Sequence, residues 1–359
     1  MTSTFSPAEA FPPGEYLRDE LIKRGWTAKE FAEILGRPVQ TVSEILNGHK
    51  QIMPDTALAL AEALGTSAEL WTNLQTTFNL FEAKAARPQV TEVSRRSLLR
   101  SRVPVAELRQ RGWIPDSNDL EILEPAVKDL LGVSDLSEEP SFEVAARRSN
   151  AEVSFTVQQT AWLAKVRRLA EVRSVSNFSA VSVSSLAEDL VHRIHNPTDL
   201  GQLESWLSDA GVVLVTLLPL RASKLDGASM YLESGTPVIG LTSRGDRMDG
   251  YVFTLLHELA HICMGHLEHG AVRTDEEIDS TIELDESESA ANQQASEWIL
   301  PESVSLPEGR PSMSEILEIA QRYRIHTSFV IGRIQRSRRD WGLLRGYVPR
   351  VRPHIAVES

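Results

Sequence analysis

Phe253-Thr-Leu-Leu-His257-Glu258-Leu-Ala-His261 is the stretch that decides what the C-terminal half of this chain must build. Two histidines four residues apart lie about 40° from each other and one turn apart on an α-helix, so both imidazoles reach one ion. Glu258 follows the first histidine, where it can take a proton from a zinc-bound water whose pKa the metal lowers to about 7. The neighbouring residues are largely apolar, so we expect a packed helix that carries a zinc site and a general base.

The third zinc ligand must come from elsewhere, because a catalytic zinc usually has three protein ligands and one open position. The segment 275–288 holds eight carboxylates and no Lys or Arg, and most such runs are solvated loops. Glu288 differs from the rest because it begins a helical segment that places Asn292 on the same face and can dock beside the first helix. We therefore predict Glu288 as the third ligand, with Glu286 as the alternative.

Three further donor residues follow the motif closely. Helical geometry places His266 on the side of the helix opposite His257, and His269 is a still more distant candidate. Cys263 lies about 200° from His261, so we expect a small core residue rather than a ligand.

The motif and the segment Glu288-x3-Asn292-x2-Ala295-x5-Pro301 together resemble the ImmA/IrrE family of metallopeptidases, over about residues 190–301. The resemblance implies that His257, His261 and Glu288 bind Zn²⁺ and that Glu258 is the catalytic base. It also implies a substrate: a repressor protein that is cut at one site to switch on stress or mobile-element genes. The chain departs from the family at Gln294, where Phe is usual.

The N-terminal segment predicts a helix-turn-helix. Short amphipathic helices alternate with glycines, and Thr27 and Asp55 are suitable N-caps. Ala32, Val42, Ile45 and Leu46 fall where this motif places its core. The five predicted helices are Tyr16–Arg24, Thr27–Leu35, Pro38–Leu46, Asp55–Leu64 and Ala68–Leu74.

The third of these helices would enter the major groove of DNA. Glutamine can read adenine, while hydroxyl and lysine side chains can hold phosphates. The outward residues would be Gln40, Thr41, Ser43 and Glu44, with Arg37, Asn47 and Lys50 near the DNA backbone.

This segment resembles the HigA-type antitoxin branch of the lambda-repressor-like family, through Gln40-Thr-Val-Ser-Glu-Ile-Leu-Asn-Gly48 and the stretch from Asp55 to Leu74. The resemblance implies a homodimer that binds operator DNA through this domain, with a toxin as a possible partner. Val39 and Glu44 stand where relatives commonly have Arg, and residues 1–85 carry seven basic against eleven acidic residues. The alternative is that the fold serves only for dimerisation or partner docking.

We therefore expect a multi-domain, mainly α protein. Its all-α five-helix head would be followed by an α+β metallopeptidase domain with a small antiparallel sheet, formed by 212–218, 228–232 and 237–241. The stretch 172–185 could be a loop or an edge strand. The expected domains are 1–85 for the head, 86–185 for a helical linker region, 186–305 for the metallopeptidase domain and 306–359 for a helical basic C-terminal region.

Composition limits the remaining function classes. The net charge of −13 argues against non-specific coating of nucleic acid, although residues 320–359 carry nine Arg against two acidic residues. That basic segment could meet an acidic partner or DNA, or could simply be solvated. One cysteine and no apolar run long enough to span a bilayer predict a cytoplasmic protein with no membrane partner.

Two functions fit these features. The first is a zinc endopeptidase that cleaves a regulatory protein, a repressor or an antitoxin, and that has a DNA-binding head. The second is an antitoxin-like transcriptional autoregulator in which the zinc domain is a sensor or scaffold without significant proteolysis. The presence of Glu258 beside both histidines favours the first.

Overall fold

A computed structural model describes residues 10–87, 91–143, 154–267, 272–276 and 286–358. The chain divides into two compact units, Met1–Thr91 and Glu92–Ser359. The first unit consists of helices α1 Pro13–Arg24, α2 Ala28–Leu35, α3 Val39–Leu46, α4 Pro54–Leu64 and α5 Ala68–Ala85.

Local signals set the helix boundaries of the first unit. Thr27 caps the start of α2, as expected from the sequence, and Glu30 completes a reciprocal capping box with it. The N-cap expected at Asp55 is wrong, because α4 begins one residue earlier with Pro54 at its first position and Met53 as the cap. Helix α5 runs past the predicted end at Leu74 to Ala85.

The core of the first unit joins α1 to the helix-turn-helix. Phe31, Val42, Ile45 and Trp71 are buried in it. Gly14 on α1 lies against α3 so closely that a Cβ there would strike the Ile45 carbonyl oxygen and come within 2.8 Å of the next carbonyl oxygen. Only glycine allows this approach, because the obstacle is backbone rather than a flexible side chain.

The second unit is mixed α and β. Its helices before the sheet are α6 Glu92–Arg102, α7 Val105–Gln110, α8 Leu120–Leu131, α9 Val157–Glu171, α10 Ala180–Arg193 and α11 Leu203–Asp209. The strands are β1 Val213–Thr216, β2 Leu225–Tyr231, β3 Pro237–Leu241 and β4 Val272–Glu276. The remaining helices are α12 Met248–Cys263, α13 Glu286–Ile299, α14 Met313–Tyr323 and α15 Thr327–Arg338.

The four-stranded sheet has the order β1-β3-β2-β4 and is mixed rather than wholly antiparallel. β2 and β3 form the expected antiparallel hairpin, but β1 lies parallel to β3, with Val213 opposite Val238. The directions differ from the expectation because β1 pairs with β3 instead of with its sequence neighbour β2. β4 adds an antiparallel edge to β2, and its last two residues, Asp275 and Glu276, belong to the acidic segment that was expected to be mainly a loop.

Helices cover both faces of this sheet. One face packs on α12, through residues such as Ile239 and Leu241. The other face packs on α8 and α9, and it does so tightly: a Cβ on Gly240 would come within 2.8 Å of the Trp162 ring. Part of the expected linker region 86–185 therefore forms a structural layer of the second unit. Its Ser/Val-rich stretch is neither wholly loop nor strand, since α10 begins at Ala180 behind a Ser179 cap.

The C-terminal segment completes the core around α12. Phe329, Ile331 and Val351 are buried in the same cluster as the apolar side of α12. Glu358 lies beside β1, where its carboxylate accepts a hydrogen bond of 2.6 Å from Arg173. Among the described residues, no helix is both long and apolar enough to cross a membrane.

Candidate metal centre

His257, His261 and Glu288 come together where α13 packs on α12. The two Nε2 atoms are 3.0 Å apart, and the Glu288 carboxylate oxygens lie 3.2 Å from Nε2 of His257 and 3.4 Å from Nε2 of His261. Both histidines are buried, and Glu288 retains some exposure. The ligand atoms of the three residues lie within 4.8 Å of one another, so they could hold one ion.

The donor set fits a zinc ion. Tetrahedral zinc with bonds of about 2.0–2.1 Å separates neighbouring donor atoms by about 3.3–3.4 Å. The observed separations of 3.0–3.4 Å lie close to that value without rearrangement of the helices. Two imidazoles and one carboxylate are a donor set of catalytic rather than structural zinc sites.

The protonation states also suit a cation. Burial raises the pKa of the Glu288 carboxyl, but hydrogen bonds and attraction from His257 and His261 outweigh burial and hold that pKa well below its usual range. Burial lowers the pKa of His261, an effect that Glu288 partly offsets. An ionised carboxylate and neutral imidazoles are the forms that bind metal.

Helix α12 holds its functional residues rigidly because it is apolar on nearly every side. Fourteen of its 16 residues are buried, among them His257, Glu258 and His261. A helix that is hydrophobic all round belongs in a core, and here the sheet, α10, α13 and α15 surround it. The three polar side chains therefore have few rotamers available.

Glu258 lies against β2 at a position where that strand has no side chain. A Cβ on Gly227 would come within 2.8 Å of Glu258 Oε1 and 2.6 Å of Thr254 Cγ2. Glycine at this position thus makes room for the carboxylate. This requirement was not anticipated from the sequence, because the pairing of β2 with α12 is a tertiary contact.

His266 contacts the metal centre, contrary to the sequence prediction that it faces away. Its Nδ1 lies 3.1 Å from Nδ1 of His261. The helix ends at Cys263, and Gly265, with φ +67°, turns the chain back, so helical geometry no longer applies at His266. A ring nitrogen that does not bind metal usually has such a partner, which fixes the tautomer and the ring orientation.

Arg273 on β4 forms hydrogen bonds both to His266, which follows α12, and to the first turn of α13. Its Nε donates to the His266 carbonyl oxygen at 3.0 Å, while Nη1 donates to Ser287 Oγ at 2.7 Å and Glu288 Oε1 at 3.2 Å. Sequence reasoning missed Arg273, although it is the only Lys or Arg between residues 248 and 309. A lone cation in so acidic a stretch was the available signal.

The alternative donors lie outside the centre. Glu286 is exposed at the first turn of α13 and is not part of the group. Cys263 packs partly buried against the core, where burial raises the pKa of its thiol to about 11. His269 lies outside the described residues.

The predicted DNA contacts cluster on α3 and the turns that flank it. Within this unit, six of the seven side chains contact one another or a neighbouring residue. Gln40 donates to Glu44 at 2.9 Å, Asn47 to Ser43 at 3.4 Å, and Lys50 lies 3.8 Å from Glu44. Arg37 donates a hydrogen bond of 3.0 Å to Thr56 Oγ1. Gln40, Asn47 and Lys50 are exposed, whereas Arg37, Thr41, Ser43 and Glu44 are half-buried.

Two family models match the chain, one in each unit. The helix-turn-helix model matches residues 17–71, and the IrrE N-terminal-like domain model matches residues 210–335. The first unit belongs to the helix-turn-helix family, and the second unit is similar to the IrrE N-terminal-like domain over the matched residues. The second match extends beyond the residues expected from the motif and includes α14 and most of α15, whose buried residues lie in the same hydrophobic core as those of α12.

Relatives of the helix-turn-helix unit include two proteins and one solved structure. The uncharacterized HTH-type transcriptional regulator YddM of Escherichia coli is 31% identical over 72 residues, covering 20% of this chain and 77% of the relative. Antitoxin HigA-1 of Vibrio cholerae is 38% identical over 72 residues, 20% of this chain and 68% of that protein. A solved structure of Pseudomonas aeruginosa PA4674 with its operator DNA is 33% identical, with a TM-score of 0.23, and covers 23% of this chain and 90% of that one.

Proposed function

We propose that this protein is a zinc endopeptidase that cleaves a repressor or antitoxin-like protein, and that its helix-turn-helix unit binds operator DNA. The observation that carries the peptidase proposal is the His257, His261 and Glu288 group, with Glu258 next to the first histidine on a buried helix. Bound zinc would supply a Lewis acid that polarises a peptide carbonyl and activates a water.

The protein's own residues supply the acid and base chemistry. Glu258 takes up a proton from the attacking water and returns it to the nitrogen of the leaving amine. Gly227 leaves the space in which this carboxylate can sit. His266 and Arg273 hold His261 and Glu288 in position.

The head targets the peptidase to a promoter. The helix-turn-helix family match and the HigA relative support operator binding, with α3 in the major groove. Gln40, Thr41 and Ser43 would face the bases, and Arg37, Asn47 and Lys50 the phosphates. Glu44 lies among them and weakens attraction to phosphate, so affinity depends on a dimer that places two heads on one operator.

The test compares wild type with Glu258→Gln, each assayed for zinc content and for cleavage of the regulator encoded beside the gene. We expect both proteins to bind one zinc per chain and only wild type to cut. Glu286→Gln is the matched control, since it removes an exposed carboxylate outside the centre and should change neither property.

The relatives also favour a second function, that of an antitoxin-like autoregulator with a possible toxin partner. In that case wild type and Glu258→Gln would bind zinc and shift their own promoter DNA equally, and neither would cut the neighbouring regulator. That combination would disprove the peptidase proposal.

A further inference from the structure

The side of α3 that faces away from the core of the first unit carries polar side chains. Val42 and Ile45 are buried in that core. On a helix with 3.6 residues per turn, Gln40, Glu44 and Asn47 lie on the opposite side. These three side chains therefore point towards the base edges when α3 lies in the major groove of DNA.

Asn47 already has protein partners at both ends of its side-chain amide. Its Nδ2 donates to Ser43 Oγ at 3.4 Å, and its Oδ1 accepts a hydrogen bond of 3.1 Å from Arg18 on α1. A base would have to displace one of these contacts to bind this amide. Gln40 and Glu44 are therefore the residues on this side of α3 that are best placed to read a base.

The hydrogen bond between Gln40 and Glu44 has a single direction. An ionised carboxylate has no proton to donate, so Gln40 Nε2 is the donor and Glu44 Oε1 is the acceptor, at 2.9 Å. Glu44 Oε2 lies 3.8 Å from Lys50 Nζ, which is too long for a hydrogen bond, and the Glu44 side chain is 36% exposed. Gln40 thus restrains the carboxylate of Glu44 and leaves it able to accept a further hydrogen bond.

A carboxylate that only accepts hydrogen bonds favours one base over the other three. In the major groove cytosine presents the N4 amino group, which is a donor, and glutamate pairs with it. Guanine presents the acceptors N7 and O6, and thymine presents the acceptor O4, so both place an acceptor against the carboxylate. Adenine presents the N6 donor beside the N7 acceptor, a pattern that suits the amide of Asn or Gln.

We propose that Glu44 determines sequence specificity by accepting a hydrogen bond from N4 of a cytosine in the operator, and that Gln40 holds its carboxylate in position. This inference rests on the operator binding proposed above. Because a homodimer places two copies of α3 on one operator, each half-site carries this cytosine. The negative charge that weakens attraction to phosphate at the same time rejects guanine at this position.

The test selects sequences from a library of DNA duplexes with randomised positions, using full-length protein at one fixed salt concentration. We expect wild type to select a motif that contains a cytosine in each half-site. Glu44→Gln should change one cytosine per half-site to adenine, and Glu44→Ala should accept any base at that position. In titrations with single duplexes, guanine in place of this cytosine should weaken the binding of wild type at least about fivefold and leave that of Glu44→Ala unchanged.

Glu62→Gln is the matched control, because Glu62 is an exposed carboxylate on α4 and its loss removes the same charge from the first unit. The control should select the same motif as wild type. If Glu44→Gln also selects the wild-type motif, the reading of cytosine is overturned and operator binding stands. If wild type selects no motif, the operator-binding part of the proposed function fails and the role of Glu44 fails with it.

Discussion

Replacing His266 by Ala tests whether the metal centre depends on a residue that does not itself bind the metal. The change removes the 3.1 Å contact between Nδ1 of His266 and Nδ1 of His261 and leaves all three ligands in place. Loss of such an orienting partner typically costs 10–100-fold in metal affinity. That factor corresponds to about 1.4–2.7 kcal/mol. We therefore expect the zinc Kd to rise by about that factor.

The assay is competition for zinc with a chromophoric chelator at fixed pH. His266→Asn should recover much of the affinity, because the amide oxygen of Asn can accept the hydrogen bond that His261 donates. His195→Ala, which removes an exposed histidine outside the cluster, should match wild type. An unchanged Kd in His266→Ala would refute the orienting role and would leave the contact as simple packing.

Three further changes probe other contacts. Gly227→Ala places a Cβ within 2.8 Å of Glu258 Oε1, so cleavage should slow at least about tenfold while zinc stoichiometry stays at one; loss of zinc would instead point to general misfolding. Glu288→Ala should abolish tight zinc binding in the chelator assay, and a Kd equal to wild type would remove Glu288 from the ligand set. Gly14→Ala should lower the free energy of unfolding of the first unit by about 1–3 kcal/mol, because the added Cβ meets backbone of α3. Helix propensity alone predicts a gain of about 0.8–1.0 kcal/mol, so a more stable variant in thermal denaturation would contradict the close approach of the two helices.

The parts of the site that sequence could predict are those set by local helical geometry. His257, Glu258 and His261 share one helix, and the start of α13 at Glu286 lies within two residues of the helical segment expected to begin at Glu288. These features depend on a 3.6-residue period and on a packed apolar frame, which a single sequence displays.

The parts that sequence could not predict depend on distant partners. β4 reads as an acidic loop because its residues have no strand pattern, and only pairing with β2 makes it a strand. Arg273 acquires its role from that pairing. His266 was misplaced because the prediction extended the helix past the turn at Gly265.

The direction of the first strand in the sheet was also not predictable from local sequence. The parallel direction of β1 follows from which strand it pairs with, and no local signal specifies that choice. A cavity of about 440 Å³ beside α12 is likewise lined in part by Trp341, Arg345 and Val351, whose sequence shows only a basic segment.

The ion pair between Arg173 and Glu358 joins residues 185 positions apart, so the second unit cannot complete its contacts until nearly the whole chain has been synthesised. A ribosome that adds about 5–20 residues per second needs roughly 13–55 s to extend the chain from residue 91 to residue 358. The first unit has all its residues before that interval begins and depends on contacts of short range. The helix-turn-helix unit can therefore fold well before the second unit has the segment that completes the core around α12.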